Sequence, residues 1–204
     1  ETSKQRLSIT GYALASEKNT SAFENLGLAR ANDVKNYFVS KGIPSNQIDI
    51  KGEIKDDLLQ KENTVYGPVS FMLNDVTTET AKVDWNAIKN EINANPLILY
   101  FNTGQSSIDL SDSDRKKITA ITHYLDNVEG AKLDVVGHTD NVGDRNKNIE
   151  LGKGRADFAK EYLVSNGVSA DKIVSSSKGP DQPIAPNNTV EGKAKNRRIE
   201  VKIN

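Results

Sequence analysis

The chain repeats itself. Leu26-Gly27, Arg30-Ala31 and Gly42 recur as Leu151-Gly152, Arg155-Ala156 and Gly167, all at a spacing of 125 residues. Ahead of each set lies a short apolar stretch that ends in glycine, Leu7 to Gly11 and Leu133 to Gly137. After each set the pattern continues: IPSNQIDIKGE follows Gly42 and VSADKIVSSSKG follows Gly167, which places Ile48 opposite Ile173. Val69, Phe71 and Leu73 then alternate as Ile199, Val201 and Ile203 do, the period of a strand with one buried face. Self-similarity at this scale means one supersecondary unit built twice.

Each copy reads as a strand, a helix and two further strands. In the first, Ser21 with Glu24 forms a capping box for the helix and Gly42 stops it. In the second, a polar loop spans His138 to Arg145, the helical pattern starts at about Asn148, and Gly167 ends it. The second copy is the longer. It opens with a strand, Leu97 to Phe101, and a helix capped by Ser111 with Asp114 that carries Ile118, Ile121 and Leu125 on one face. The first copy begins at what would be its second strand. Its missing strand and helix are expected upstream of Glu1, because their absence leaves a sheet edge that proteins normally cover; a naturally short half leaning on its neighbour is the alternative. Between the copies Val83, Trp85, Ile88 and Ile92 would line one face of a short helix. The expected organisation is therefore 1–75 for the incomplete copy, 76–95 for a linker with a short helix, and 96–204 for the complete copy.

Composition removes several function classes. Net charge is −1, so no general attraction to nucleic acid or anionic membrane is expected. No apolar run approaches the ~20 residues that span a bilayer, and no signal peptide is present, so any membrane anchor is expected outside this sequence. Cysteine is absent, which excludes disulfides, thiol catalysis and cysteine metal sites, and with His123 and His138 alone no multi-histidine zinc site is possible. No cofactor is expected.

The richest stretch is LDVVGHTDNVGDRNKNIELGKGRA, Leu133 to Ala156. A strand end followed by a helix start collects free backbone N–H groups and the positive end of the helix dipole. An acid, Asp140, sits at the strand end and a base, Arg155, sits within the helix. Gly137-His138-Thr139-Asp140, Gly143, Asn148, Leu151 and Arg155-Ala156, followed by Gly179, Pro183, Asn188 and Asn196-Arg197-Arg198-Ile199-Glu200, resemble the signature of the OmpA-like peptidoglycan-binding domain family over Pro96 to Asn204. The resemblance implies an α/β (α+β) fold: two tandem β-α-β-α-β units with helices packed on a mixed sheet, the first unit lacking its opening strand and helix.

The resemblance also implies a ligand, the meso-diaminopimelate stem peptide of Gram-negative peptidoglycan. Its free end carries an ammonium and a carboxylate on one carbon. Asp140 would accept from the ammonium, and Arg155 would grip the carboxylate with its planar fork. Thr139, Asn141, Asn148 and Arg198 are supporting candidates; Asn148 would cap the helix or orient the loop, and Arg198 would lie near the site or brace Asp140. The protein would be a non-catalytic wall anchor in the periplasm, outer-membrane associated, with a protein-interaction or scaffold module as the alternative and a wall hydrolase using Asp140 with Asp144 or Glu150 a weaker one. Bland readings stand beside these: an Asp after a strand commonly forms a turn, and an Arg on a helix face is commonly solvated or held in a structural ion pair. His138 and His123 read as structural, because no serine or cysteine nucleophile accompanies either in a motif.

In the first copy Leu14 replaces the acid, Phe23 stands in the place of Asn148 and Pro68 in that of Arg198. Arg30 survives as a cation without its anion. This copy is expected to be a structural or protein-contacting relic.

Overall fold

The computed structural model describes residues 5–62, 64–75, 83–100, 108 and 110–204. Two compact units emerge, Glu1–Asp84 with Asp126–Val128, and Trp85–Leu125 with Glu129–Asn204. Residues 76–82 of the expected linker, and Phe101 of the expected strand, lie outside the described residues.

The first unit contains β1 (Gln5–Ala13), α1 (Leu26–Ser40), β2 (Ile48–Ile54), the two-residue strands β3 (Gln60–Lys61) and β4 (Thr64–Val65), and β5 (Val69–Asp75). Its main sheet runs β2-β1-β5, with β1 parallel to β2 and antiparallel to β5. The α1 helix is capped by Asn25, whose side chain accepts from Leu28 N, and not by Ser21 with Glu24. Ser21 Oγ instead accepts from Phe23 N and donates to Asn19, shaping a turn ahead of the helix in which Ala22 and Phe23 are buried. That buried pair keeps the chain off the helical path until Asn25. Gly42, at φ 95°, ends the helix region as expected.

The second unit contains α2 (Trp85–Ala94), β6 (Leu97–Tyr100), α3 (Asp112–Asn127), β7 (Leu133–His138), α4 (Arg145–Ser165), β8 (Ile173–Gly179), α5 (Val190–Asn196) and β9 (Arg198–Ile203). The sheet order is β6-β9-β7-β8; β7 runs parallel to β8 and antiparallel to β9, and β9 pairs antiparallel with β6. Ile199, Val201 and Ile203 are buried as their alternation requires, together with Leu97, Leu99, Leu133, Val135 and Ile173 from the other strands. Ile118, Ile121 and Leu125 of α3, with Ala156, Ala159 and Leu163 of α4, complete the core. Ser111 and Asp114 exchange the two bonds of a capping box. The α2 helix belongs to this unit: Trp85 lies against the rings of His123 and Tyr124, and the Asn93 amide donates to Ile203 O and accepts from Ile203 N.

The internal comparison exposes one difference. Phe71 and Leu73 alternate like Val201 and Ile203, yet they are 55% and 65% exposed where their counterparts are 0% and 2%. Periodicity gave the strand correctly but not its burial. In the second unit β6 pairs along β9 and α2 packs against it; among the described residues of the first unit neither has a counterpart.

Helix and strand touch backbone to backbone in both units. A Cβ added to Gly137 would lie 1.9 Å from Gly152 O, and one added to Gly11 would lie 1.9 Å from Gly27 O. This close approach draws the first turns of α4 over the end of β7. Gly137→Ala meets a backbone carbonyl that cannot swing aside and is expected to lose about 2 kcal/mol or more. Gly152→Ala meets chiefly the rotatable Ser177 Oγ and gains about 1 kcal/mol of helix propensity, so its loss should be much smaller. Urea unfolding of both variants checks the ranking.

Candidate functional site

Asp140 lies two residues beyond β7 and Arg155 projects from the third turn of α4, so the β7–α4 loop decides whether they meet. That loop is pinned along its length. Thr139 N donates to Gly179 O at the end of β8, at 2.9 Å, and Val142 N donates to Asp140 Oδ1 at 3.1 Å. Gly143 turns the chain at φ 91°, where a side chain would be strained. Asp144 then caps α4 by accepting from Lys147 N. Of the two roles open to Asn148, the structure gives it the loop: the buried amide donates to Val142 O at 2.9 Å, while the cap is Asp144. The helix accordingly starts three residues before Asn148.

A second wall comes from the segment before β9. Asn196 is fully buried; its carbonyl oxygen accepts from Ile184 N and Ala185 N, and its amide donates to Ala185 O and Asn187 Oδ1. Asn187 Oδ1 also accepts from Asn141 N, at 3.4 Å, tying this segment to the β7–α4 loop.

Asp140 is already in an ion pair. Its partner is Arg197, whose Nη1 lies 2.8 Å from Oδ2. The Asp140 side chain is 13% exposed and that of Arg197 30%. Burial would raise the Asp140 carboxyl; the Arg197 bond, the Val142 N–H and the charges of Arg197 and Lys193 outweigh it and hold the group below the ordinary carboxylate range. Arg155 is partly buried, and its Nη1 is buried with no hydrogen-bond partner. Burial lowers its basicity, repulsion from Arg197 adds to this, and attraction to Asp140 opposes it. Arg155 thus feels both charges, and one carboxylate stands among two guanidiniums, all three in the second unit.

The supporting candidates divide. Thr139 is buried, with Oγ1 bonded to the Asp140 carbonyl, and acts through the loop; Asn141 lies at its exposed surface. Arg198 does not brace Asp140: it is buried, its guanidinium donates to Gln182 O at 3.3 Å, and it lies 3.4 Å from Glu200. The bracing residue is its neighbour. No period in the sequence separates the two, because Arg197 lies between α5 and β9, where neither the helical nor the strand repeat reaches.

In the first unit Arg30 has an anion after all. Glu17 meets it with both oxygens, at 2.6 and 3.0 Å, and Tyr12 O accepts a further bond at 2.7 Å. That bond and charge hold the Glu17 carboxyl below its usual range. Leu14 and Phe23, which stand in the places of Asp140 and Asn148, are buried. The position equivalent to Arg155 is closed from within.

The chain matches the model of the OmpA family over residues 1–66 and 100–197, and it belongs to that family. It is 36% identical over 98 residues to the probable lipoprotein YiaD of Escherichia coli, covering 48% of this chain and 45% of that protein. It is 37% identical over 101 residues to the peptidoglycan-binding protein ArfA of Mycobacterium tuberculosis, covering 50% of this chain and 31% of that one. The chain thus spans less than half the length of either relative. Among solved structures it is similar to the peptidoglycan-associated lipoprotein of Burkholderia pseudomallei, at 24% identity and a TM-score of 0.48 over 57% of this chain and 99% of that one. The C-terminal domain of Helicobacter pylori MotB gives 26% identity and a TM-score of 0.44 over 54% and 84%.

His138 has a structural consequence of its own. The ring is 2% exposed, Nδ1 lacks a partner, and Nε2 lies 3.7 Å from Glu200. Burial first, then the charges of Arg198, Lys202 and Lys178, outweigh Glu200 and push its pKa down to about 4. The folded state therefore resists a proton that the unfolded chain accepts near 6.5. Stability is full above that pH and falls as pH drops toward 4, by about 2–3 kcal/mol at pH 4.5. Denaturation from pH 7.5 to 4.5 should show this fall flattened in His138→Gln; equal slopes would contradict it.

Proposed function

We propose that the second unit is a non-catalytic binder of peptidoglycan, holding the free end of meso-diaminopimelate with Asp140 on the ammonium and Arg155 on the carboxylate. The observation that carries this reading is the Arg155 guanidinium, a partly buried cation with an unpartnered Nη1, within electrostatic reach of the Asp140 carboxylate. A zwitterionic head group needs a fixed anion and a fixed cation close together. Charge-assisted bonds of roughly 1.5–3 kcal/mol each suit an affinity between millimolar and micromolar. That is weak for one site, but adequate for a tethered protein on a polymer with many copies of the ligand. The mycobacterial relative is named for peptidoglycan binding, which supports this reading, and the lipoprotein among the relatives supports a role in the cell envelope.

Anchoring a cell-envelope protein to the wall, in the periplasm and associated with the outer membrane, follows as the role we propose for the parent protein. A hydrolase finds less support: Asp144 is engaged in capping α4, and glycoside hydrolysis needs two carboxylates facing across a sugar. The first unit, with Arg30 held by Glu17 and Tyr12, fits a structural or protein-contacting part.

Removing either charge, Asp140→Ala or Arg155→Ala, should reduce co-sedimentation with purified sacculi by tenfold or more while the thermal melt stays cooperative. Stem peptides with lysine in place of diaminopimelate lack the carboxylate and should bind correspondingly more weakly. Equal binding of both peptides would refute the role of Arg155.

A further inference from the structure

We infer that the outer edge of β5 pairs with β5 of a second copy of this chain, antiparallel, with Phe71 of each copy opposite Leu73 of the other. The pairing stands apart from the wall-binding reading. In the second unit the equivalent strand, β9, lies between β7 and β6; β5 ends its sheet, with β1 alone beside it among the described residues. The ladder decides which backbone groups face outward. Tyr12 N donates to Pro68 O at 2.7 Å, in register with the β1–β5 pairing. Bonded pairs alternate along an antiparallel ladder. Thr10–Ser70, Ser8–Met72 and Arg6–Asn74 are therefore bonded, and the N–H and C=O groups of Phe71 and Leu73 point away from β1. The bond from Asn204 N to Lys132 O sets the same phase in β9. There the outward residues Ile199 and Val201 stand opposite Leu99 and Leu97 of β6.

The β5 edge lacks the features that keep an edge strand solitary. The other edges of the two main sheets have them: β2 carries Asp49, Lys51 and Glu53, β8 carries Lys178, and β6 is four residues long. β5 has no charge before its last residue, Asp75, and exposes Phe71, Met72 and Leu73 in a row. Its sequence, VSFMLND, is also self-complementary about Met72. Antiparallel pairing centred there overlaps all 7 residues of the strand. It joins the outward groups of Phe71 and Leu73 as bonded pairs, sets Met72 against Met72, and puts Ser70 opposite Asn74. Phe71 and Leu73 lie on the α1 face, where Phe71 already meets Phe38 edge-on at 6.0 Å. Pairing gathers four apolar side chains there that one copy alone leaves in water. The charged ends do not oppose each other, because each Asp75 falls beside the other copy's Val69. The product is a closed twofold dimer with one continuous sheet and the charged β2 strands at its two ends. Each copy also brings its own Asp140 and Arg155, so a dimer offers two such sites to a polymer.

The test is sedimentation velocity of the full chain from about 5 to about 500 µM, because a single strand pair is a small interface and association is expected at roughly 10–100 µM. Wild type should pass from monomer to dimer across that range. Leu73→Lys places an ammonium opposite Phe71 of the other copy and should weaken the dimer about tenfold or more, with a thermal melt close to wild type because the residue is exposed. Register is read by cross-linking, since the chain has no cysteine of its own. In Met72→Cys the two thiols face each other across a non-bonded pair, at a Cα separation of about 4.5 Å that a disulfide spans. In Ser70→Cys they lie about 13 Å apart along the strands. Mild oxidation should give a covalent dimer from the first variant and not from the second. A dimer that Leu73→Lys leaves unchanged, or equal cross-linking of both cysteine variants, overturns the inference. A chain that stays monomeric throughout also overturns it, leaving the edge to another protein's strand or another segment of the same polypeptide. The wall-binding reading survives each of these results.

Discussion

The fold and the site depend on one contact, the meeting of a strand and a helix with no side chain between them. Gly137 and Gly152 allow α4 to lie on β7 at backbone distance. A residue with a Cβ at Gly137 would push the helix outward, and Arg155, one turn beyond Gly152, would move with it. The same glycine contact at Gly11 and Gly27 positions Arg30 in the first unit. Both halves thus build the same platform, and what differs is the anion set against the arginine.

In the second unit the anion is a loop carboxylate with a second arginine on it. Arg155 keeps an unpartnered nitrogen, an unusual state for a buried guanidinium donor. In the first unit Glu17 and Tyr12 O close around Arg30. The two halves illustrate the alternatives for a partly buried cation in a fold: satisfaction by the protein itself, or capacity kept for something outside.

Much of this was legible in the residues. The 125-residue repeat placed both glycine-arginine helices, the period of two placed Ile199, Val201 and Ile203 in the core, and Ser111 with Asp114 marked a real helix start. What was not legible depended on neighbours distant in sequence. Phe71 and Leu73 have the pattern of buried residues but lack the strand and helix that bury their counterparts. The α1 cap fell to Asn25 because Ala22 and Phe23 are buried ahead of it. Glu17 was missed as the partner of Arg30 because the acid moved along the loop instead of occupying the Leu14 position. Arg197 stood beside the residue chosen from the same motif, between α5 and β9, where neither period reaches.

The central claim is that Asp140 and Arg155 jointly hold an amino-acid head group. It is tested most directly by a crystal structure of the chain with a meso-diaminopimelate tripeptide bound. The account predicts the ligand's ammonium on Asp140 and its carboxylate on Arg155. A peptide seated elsewhere, or one bound with Arg155 untouched, would contradict it.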